Sequence, residues 1–179
     1  FVEEGPNDIF LVGDPHQRIY DNYVTLSSLG INVRGRSSRL TLSYRTTRQI
    51  LGTALNLLDG TTYDDLDGGS DTLAGYRSLL RGEPPMLRGA ATWADEQELI
   101  VGQVKEWVGA GATVAVCLPT HNMVTAVVQR LGAAGIDASE IGPDGPKRPD
   151  SVHVGTMHRF KGLEYQRMAI GGVCDGIVP

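Results

Sequence analysis

The sequence predicts an α/β protein: a mostly parallel sheet with helices on both faces. Short β-branched runs alternate with longer segments of helical period, and the strongest strands are apolar almost throughout. Gly, Asp and Pro punctuate the ends of these segments, as turn chemistry requires.

The first predicted strand is DIFLVGD (8–14), stopped by Gly13 and Asp14, and the second is RLTLS (39–43), which runs into Tyr44 and Arg45. A helix follows over 48–58, with Ile50, Leu51, Ala54, Leu57 and Leu58 on one stripe and Asp59-Gly60 as its stop. The acidic, Gly-rich stretch 59–75 has little periodicity and reads as a surface loop. After Pro84-Pro85 a strand is expected over 86–91. Thr92, with Asp95 and Glu96 behind it, then forms a capping signature for a helix to about residue 109, buried through Ile100, Val104, Trp107 and Val108. TVAVCL (113–118) is the clearest buried strand. The next helix spans about 121–134, with Val124, Val127, Val128 and Leu131 at core spacing and Gly135 as terminator. A loop at 142–146 precedes strands at 152–156 and 168–173, which a short helix over 160–165 connects.

With 179 residues the chain suffices for one full α/β domain. It is 41% hydrophobic and 21% charged at a net charge of −5, which excludes a disordered tail and makes any nucleic-acid site local. No apolar run reaches the roughly 18 residues of a membrane span, and no signal segment opens the chain, so a cytoplasmic, membrane-free protein is expected. Cys117 and Cys174 lie in apolar runs and read as small hydrophobes, with no metal site implied. The chain opens on Phe1 and closes on Ile177-Val178-Pro179, and it reads as a piece of a longer protein.

Ligands of parallel sheets bind beyond the carboxyl ends of the strands, and three stretches occupy such positions. In VGDPHQRIY (12–20), Gln17 is a neutral amide that can orient a water or sense a terminal phosphate without repelling it. In LTLSYRTT (40–47), Tyr44 offers a face for a nucleobase and Arg45 a planar fork for phosphate, which a lysine lacks. VGTMHRFKGLEY (154–165) packs a hydroxyl, an imidazole, two cations and a glycine into one loop, followed by Glu164, whose carboxylate can accept hydrogen bonds from sugar hydroxyls. Taken singly, each also has a structural reading: a capped turn, an arginine paired with a carboxylate, a solvated loop. Among the lesser candidates, His121 is expected to open a helix, His153 to alternate out of its strand, and the tryptophans Trp93 and Trp107 to anchor the core. Arg34, Arg36 and Arg39 form a small basic cluster. No phosphate-binding loop of the G-x-x-x-x-G-K-[ST] kind is present.

In this order, the three stretches resemble motifs III, IV and V of the superfamily 1 helicases of the UvrD/Rep type, and GIVP (176–179) resembles the segment after motif V. The resemblance implies a RecA-like, P-loop-NTPase-type sheet and an ATP-dependent DNA helicase or translocase moving 3′-to-5′ on single-stranded or partly duplex DNA, in repair or recombination. It implies that Gln17 contacts the terminal phosphate of ATP, Tyr44 stacks on adenine, Arg45 reaches the γ-phosphate and Glu164 binds the ribose. Tyr20, Thr156 and His158 would lie on the DNA track. Asn22 stands where the family usually has Trp, so Tyr23 beside it is the candidate for that stacking contact, and Ser43 replaces the usual Asn before Tyr44.

By the same resemblance, 1–37 is the tail of a first RecA-like domain with its connection, and 38–179 is a second one. The short interval between Arg45 and Thr156 leaves no room for a large inserted accessory domain. Motifs I and II, with the Mg2+ ligands, would precede Phe1, and motif VI would follow Pro179. The piece alone is then expected not to hydrolyse ATP. The alternative is a non-motor nucleic-acid-binding or docking module that keeps the fold, which an absent upstream phosphate loop would favour. A helicase–nuclease subunit is a further reading, which a nuclease domain beyond Pro179 would reveal.

Overall fold

The computed structural model describes residues 3, 5, 8–14, 24–58, 63–64, 70–71 and 74–178, with 63–64 and 70–71 described as backbone. They fall into two compact units, Phe1–Leu87 and Arg88–Pro179, each described by itself.

In the first unit, strand β1 (Leu42–Ser43) is followed by helix α1 (Arg48–Leu57). Thr47 caps α1 by accepting from the Ile50 N–H. Beyond it lie β2 (Tyr63–Asp64), β3 (Ser70–Asp71) and β4 (Arg77–Ser78). β1 and β4 pair in parallel, and β2 and β3 pair antiparallel, so the stretch read as a plain loop contains a short hairpin ladder. The expected strand over 8–14 does not form: its described residues lack ladder partners, and Phe10 is 90% exposed. Apolar character signals β-propensity, but a strand exists only with a neighbour to receive its backbone hydrogen bonds. In α1, Ile50, Ala54 and Leu57 are exposed while Leu51 and Leu55, and Leu58 just past the helix, are half-buried, so the inward stripe is rotated from the predicted one.

The second unit holds helix α2 (Trp93–Gly109), β5 (Val114–Leu118), α3 (His121–Ala133), β6 (Ala138–Glu140), β7 (Val152–Thr156), a 3₁₀ turn (Met157–Phe160) and β8 (Arg167–Ile170). The strands form one wholly parallel sheet in the order β6-β7-β5-β8. The protein is therefore α/β with a mostly parallel sheet. No strand forms over 86–91, where Met86 and Leu87 are exposed and the chain passes from one unit to the other.

Thr92 caps α2 by accepting from the Asp95 N–H at 3.2 Å while its hydroxyl donates to the Asp95 carboxylate at 2.7 Å. Helices α2 and α3 cover one face of the sheet. Ile100 and Val104 of α2 and Val124, Val127 and Leu131 of α3 pack on Val114, Val116, Leu118, Ala138, Val152 and Val154. Each such side chain taken fully out of water stabilises the fold by roughly 1.5–3 kcal/mol. Val108 stays exposed, because it lies past the stripe that meets the sheet. At the rim of this layer Glu98 of α2 pairs with Arg130 of α3.

The opposite face is covered more thinly. Ala115 and Cys117 of β5 lie under Ile141, Phe160, Leu163 and Tyr165. Gly155 of β7 is what lets this cover close, since a Cβ there would sit 3.3 Å from Ile141 and 3.4 Å from Phe160. Helical cover on this side is the one 3₁₀ turn among the described residues. Further along the same face Met168 and Ile170 of β8, in register with Ala115 and Cys117, are exposed, Ile170 at 61%.

Burial pushes the Cys117 thiol from 9.0 up to about 11, whereas Cys174 is exposed. One thiol is therefore expected to react quickly with a disulfide reagent in the native protein and the second only on unfolding. Two fast-reacting thiols would contradict the described packing. The fold favours the protonated thiol, so this contribution is intact below pH 9.0 and is lost as pH rises towards about 11, by up to about 1.4 kcal/mol per unit.

Candidate nucleotide and nucleic-acid site

Tyr44 and Arg45, the described candidate residues of the first unit, sit in the turn between β1 and α1. Ser78 of β4, 1% exposed, donates to the Thr46 carbonyl at 2.6 Å and accepts from the Leu80 N–H at 3.1 Å. The Arg48 N–H donates to the Leu80 carbonyl at 2.9 Å, and the Gly82 N–H to Gln49 Oε1 at 3.1 Å. A Cβ at Gly82 would fall 2.8 Å from the Thr47 methyl, so only glycine lets the chain pass this close. These contacts pin the ends of the turn while its middle stands out: Tyr44 is 73% exposed and Arg45 is exposed beside it. An exposed ring next to a guanidinium can receive a flat base and a phosphate.

In the second unit, Thr156 and His158 lie at the carboxyl edge of the sheet, whereas Glu164 precedes the amino end of β8, where Arg167 pairs with Val114 at the start of β5. The chain leaves β5 through α3 on the helical face and reaches β6 beyond β7. It leaves β7 through the 3₁₀ turn on the other face and reaches β8 beyond β5. Adjacent strands thus send their connections to opposite faces, the arrangement that opens a ligand crevice in parallel sheets. Thr156, half-buried, ends β7 as the ladder partner of Leu118, and His158 is exposed in the 3₁₀ turn.

The helix expected over 160–165 is instead the 3₁₀ turn Met157–Phe160, and Glu164 does not lie on a helix. Lys161, at φ −57° and ψ 119°, leaves helical geometry, and Gly162, at φ +83°, completes a tight turn in which the Leu163 N–H donates to the Phe160 carbonyl at 3.0 Å. Leu163 and Tyr165 then both pack inward, and Glu164 between them is exposed, the alternation of extended chain.

Thr156, His158 and Glu164 are thus brought onto one segment of the second unit, whereas Tyr44 and Arg45 belong to the first. Gln17, Tyr20 and Tyr23 lie outside the described residues. Arg34, Arg36 and Arg39 are exposed around a turn at Gly35.

Other residues of this unit carry weak sequence signals. His121 opens α3 as expected, and its Nδ1 lies 3.1 Å from Glu140 Oε1 at the end of β6. β6 itself was not expected, because Ala138-Ser139-Glu140 lacks a β-branched run. It is held by a buried hydroxyl pair, Ser139 with Ser151 at 2.6 Å, and by Arg148, which donates to Asp137 Oδ1 and to the Ala138 carbonyl at 2.6 Å each. His153 departs from its expected outward orientation. It is 6% exposed, on the face covered by Tyr165, because β7 has protein on both sides.

No family model, no curated protein and no solved structure matches the chain. Among the described residues no group of three or more His, Cys, Asp or Glu is arranged to hold a metal ion. None of the helices in the described residues is long and apolar enough to cross a membrane.

Proposed function

We propose that this chain is part of the motor of an ATP-dependent DNA helicase or translocase, contributing one side of the nucleotide cleft and part of the single-stranded DNA track. The observation that supports the reading is the setting of the 154–165 segment. It leaves the carboxyl end of an inner strand of a parallel sheet where neighbouring connections diverge, it presents a hydroxyl and an imidazole there, and Glu164 follows, exposed, on the way to β8.

In this reading Tyr44 stacks on adenine, Arg45 and Gln17 meet the terminal phosphate, and Glu164 accepts from the ribose hydroxyls. Thr156 and His158, with Tyr20 and Tyr23, contact the DNA strand. An arginine at the γ-phosphate stabilises the charge that develops on the transferred group, and hydrolysis becomes conditional on its arrival. Aromatic stacking holds single strands regardless of sequence, at roughly 1–3 kcal/mol per base. Mg2+ would neutralise phosphate charge from ligands elsewhere in the complete protein. Movement 3′-to-5′, a role in repair or recombination and a cytoplasmic location belong to the same reading.

The test is ATP turnover by the complete protein that carries this chain, followed as phosphate release with and without oligo-dT. Turnover that rises strongly with the oligonucleotide is expected, with none from the 179-residue chain alone. A complete protein that turns over no ATP in the presence of single-stranded DNA would overturn the motor reading.

A further inference from the structure

A hydrogen-bonded chain in the second unit runs from the β6–β7 crossover to the segment bearing Glu164. His153 Nε2 lies 2.7 Å from the Arg148 carbonyl oxygen, and Nδ1 lies 2.7 Å from Tyr165 Oη. A carbonyl can only accept, so Nε2 carries the proton. In the neutral ring, Nδ1 is then the acceptor and the Tyr165 hydroxyl donates to it. Burial raises the pKa of Tyr165, which keeps that donor proton in place. The two rings meet edge-on with centroids 5.5 Å apart, and Tyr165 meets Phe160 edge-on at 5.8 Å.

An apolar residue would fill this position of β7 without the desolvation cost of an imidazole. What the imidazole adds is direction. Tyr165 can reach His153 only if the chain is in one register, and the following residues are fastened as well. The Gln166 N–H donates to Thr113 Oγ1 at 3.1 Å, the Thr113 N–H to Gln166 Oε1 at 2.9 Å, and the Arg167 N–H to the Thr113 carbonyl at 3.1 Å. Upstream, Leu163 packs on the same face as Tyr165. A slip of one residue would turn Glu164 inward and expel Tyr165.

We propose that His153 and Tyr165 are positioning residues whose hydrogen bond sets the register of 163–165 and thereby aims the Glu164 carboxylate at the sugar of the nucleotide. The inference rests on the nucleotide reading of Glu164 given above. The experiment compares KM for ATP and kcat, in DNA-stimulated hydrolysis by the complete protein, for Tyr165→Phe, His153→Val, His153→Gln and Glu164→Ala.

Tyr165→Phe keeps the ring and its contact with Phe160. It is expected, like His153→Val, to raise KM about fivefold with kcat within about twofold. His153→Gln, whose amide can donate to the Arg148 carbonyl and accept from Tyr165, is expected to keep the wild-type KM. Glu164→Ala sets the ceiling of the effect. If Glu164→Ala raises KM and Tyr165→Phe does not, the positioning role is overturned and the nucleotide reading stands. An unchanged KM in Glu164→Ala overturns the nucleotide reading of that residue, and the positioning role with it.

Discussion

Arg45→Ala is expected to remove nearly all DNA-stimulated ATP hydrolysis from the complete protein while ATP binding persists. The turn that carries Arg45 is strapped by the buried Ser78 hydroxyl and the 80–82 segment, and the Arg45 side chain takes no part in those backbone bonds. Alanine removes the guanidinium and leaves these straps in place. An arginine at a transferring phosphoryl group is worth roughly a thousandfold or more in turnover, whereas it adds little to ground-state binding that base and sugar contacts already supply. Phosphate release measures the first quantity, and titration with a fluorescent ATP analogue the second. Arg45→Lys keeps the charge and loses the planar fork, so it should recover only a small part of the rate. Near-wild-type turnover in Arg45→Ala would sink the assignment.

The largest stability effect is expected for Leu131→Ala. Leu131 is fully buried, where α3 lies on the sheet beside Val127 and Val154. Truncation there forfeits the transfer energy of the lost methyl groups and leaves a cavity, about 2–5 kcal/mol together. Against a typical domain stability of about 5–15 kcal/mol, that is a large fraction. Both tryptophans of the chain, Trp93 and Trp107, belong to α2 and pack against this core, so their fluorescence reports the unfolding of the second unit alone. Urea titration should show a midpoint well below wild type at unchanged slope. A loss under about 1 kcal/mol would mean that α3 is not seated as described.

The parts of the fold that were legible in the sequence are those whose side chains meet the core themselves. Val114–Leu118, Val152–Thr156 and the stripe of α3 are read directly, because their buried positions on the side of α2 and α3 are apolar and the period fits the element. The reverse cases are equally physical. β6 is polar and owes its place to a hydroxyl pair and an arginine supplied from the following crossover, contacts that no local pattern encodes. The 8–14 and 86–91 runs have strand-like composition but lack a ladder partner among the described residues.

Within the candidate site, the positions of Thr156 and His158 follow from the end of a legible strand. The setting of Glu164 depends on the tight turn through Lys161 and Gly162, whose positive φ at the glycine follows the end of a helix that composition alone would have continued. The inward turn of His153 was illegible because both faces of β7 are covered, so alternation could not tell which of them it would join.

Among the described residues, the sheet of the second unit is insulated unevenly, with two full helices on one side and a single 3₁₀ turn with a few inward side chains on the other. Thermal openings should start on the shallow side, where fewer contacts must be broken. Amide protons of residues 160–165 should then exchange with solvent well ahead of those in β5. The flank that presents Glu164 would thus be the part of this unit most readily remodelled when a partner molecule arrives.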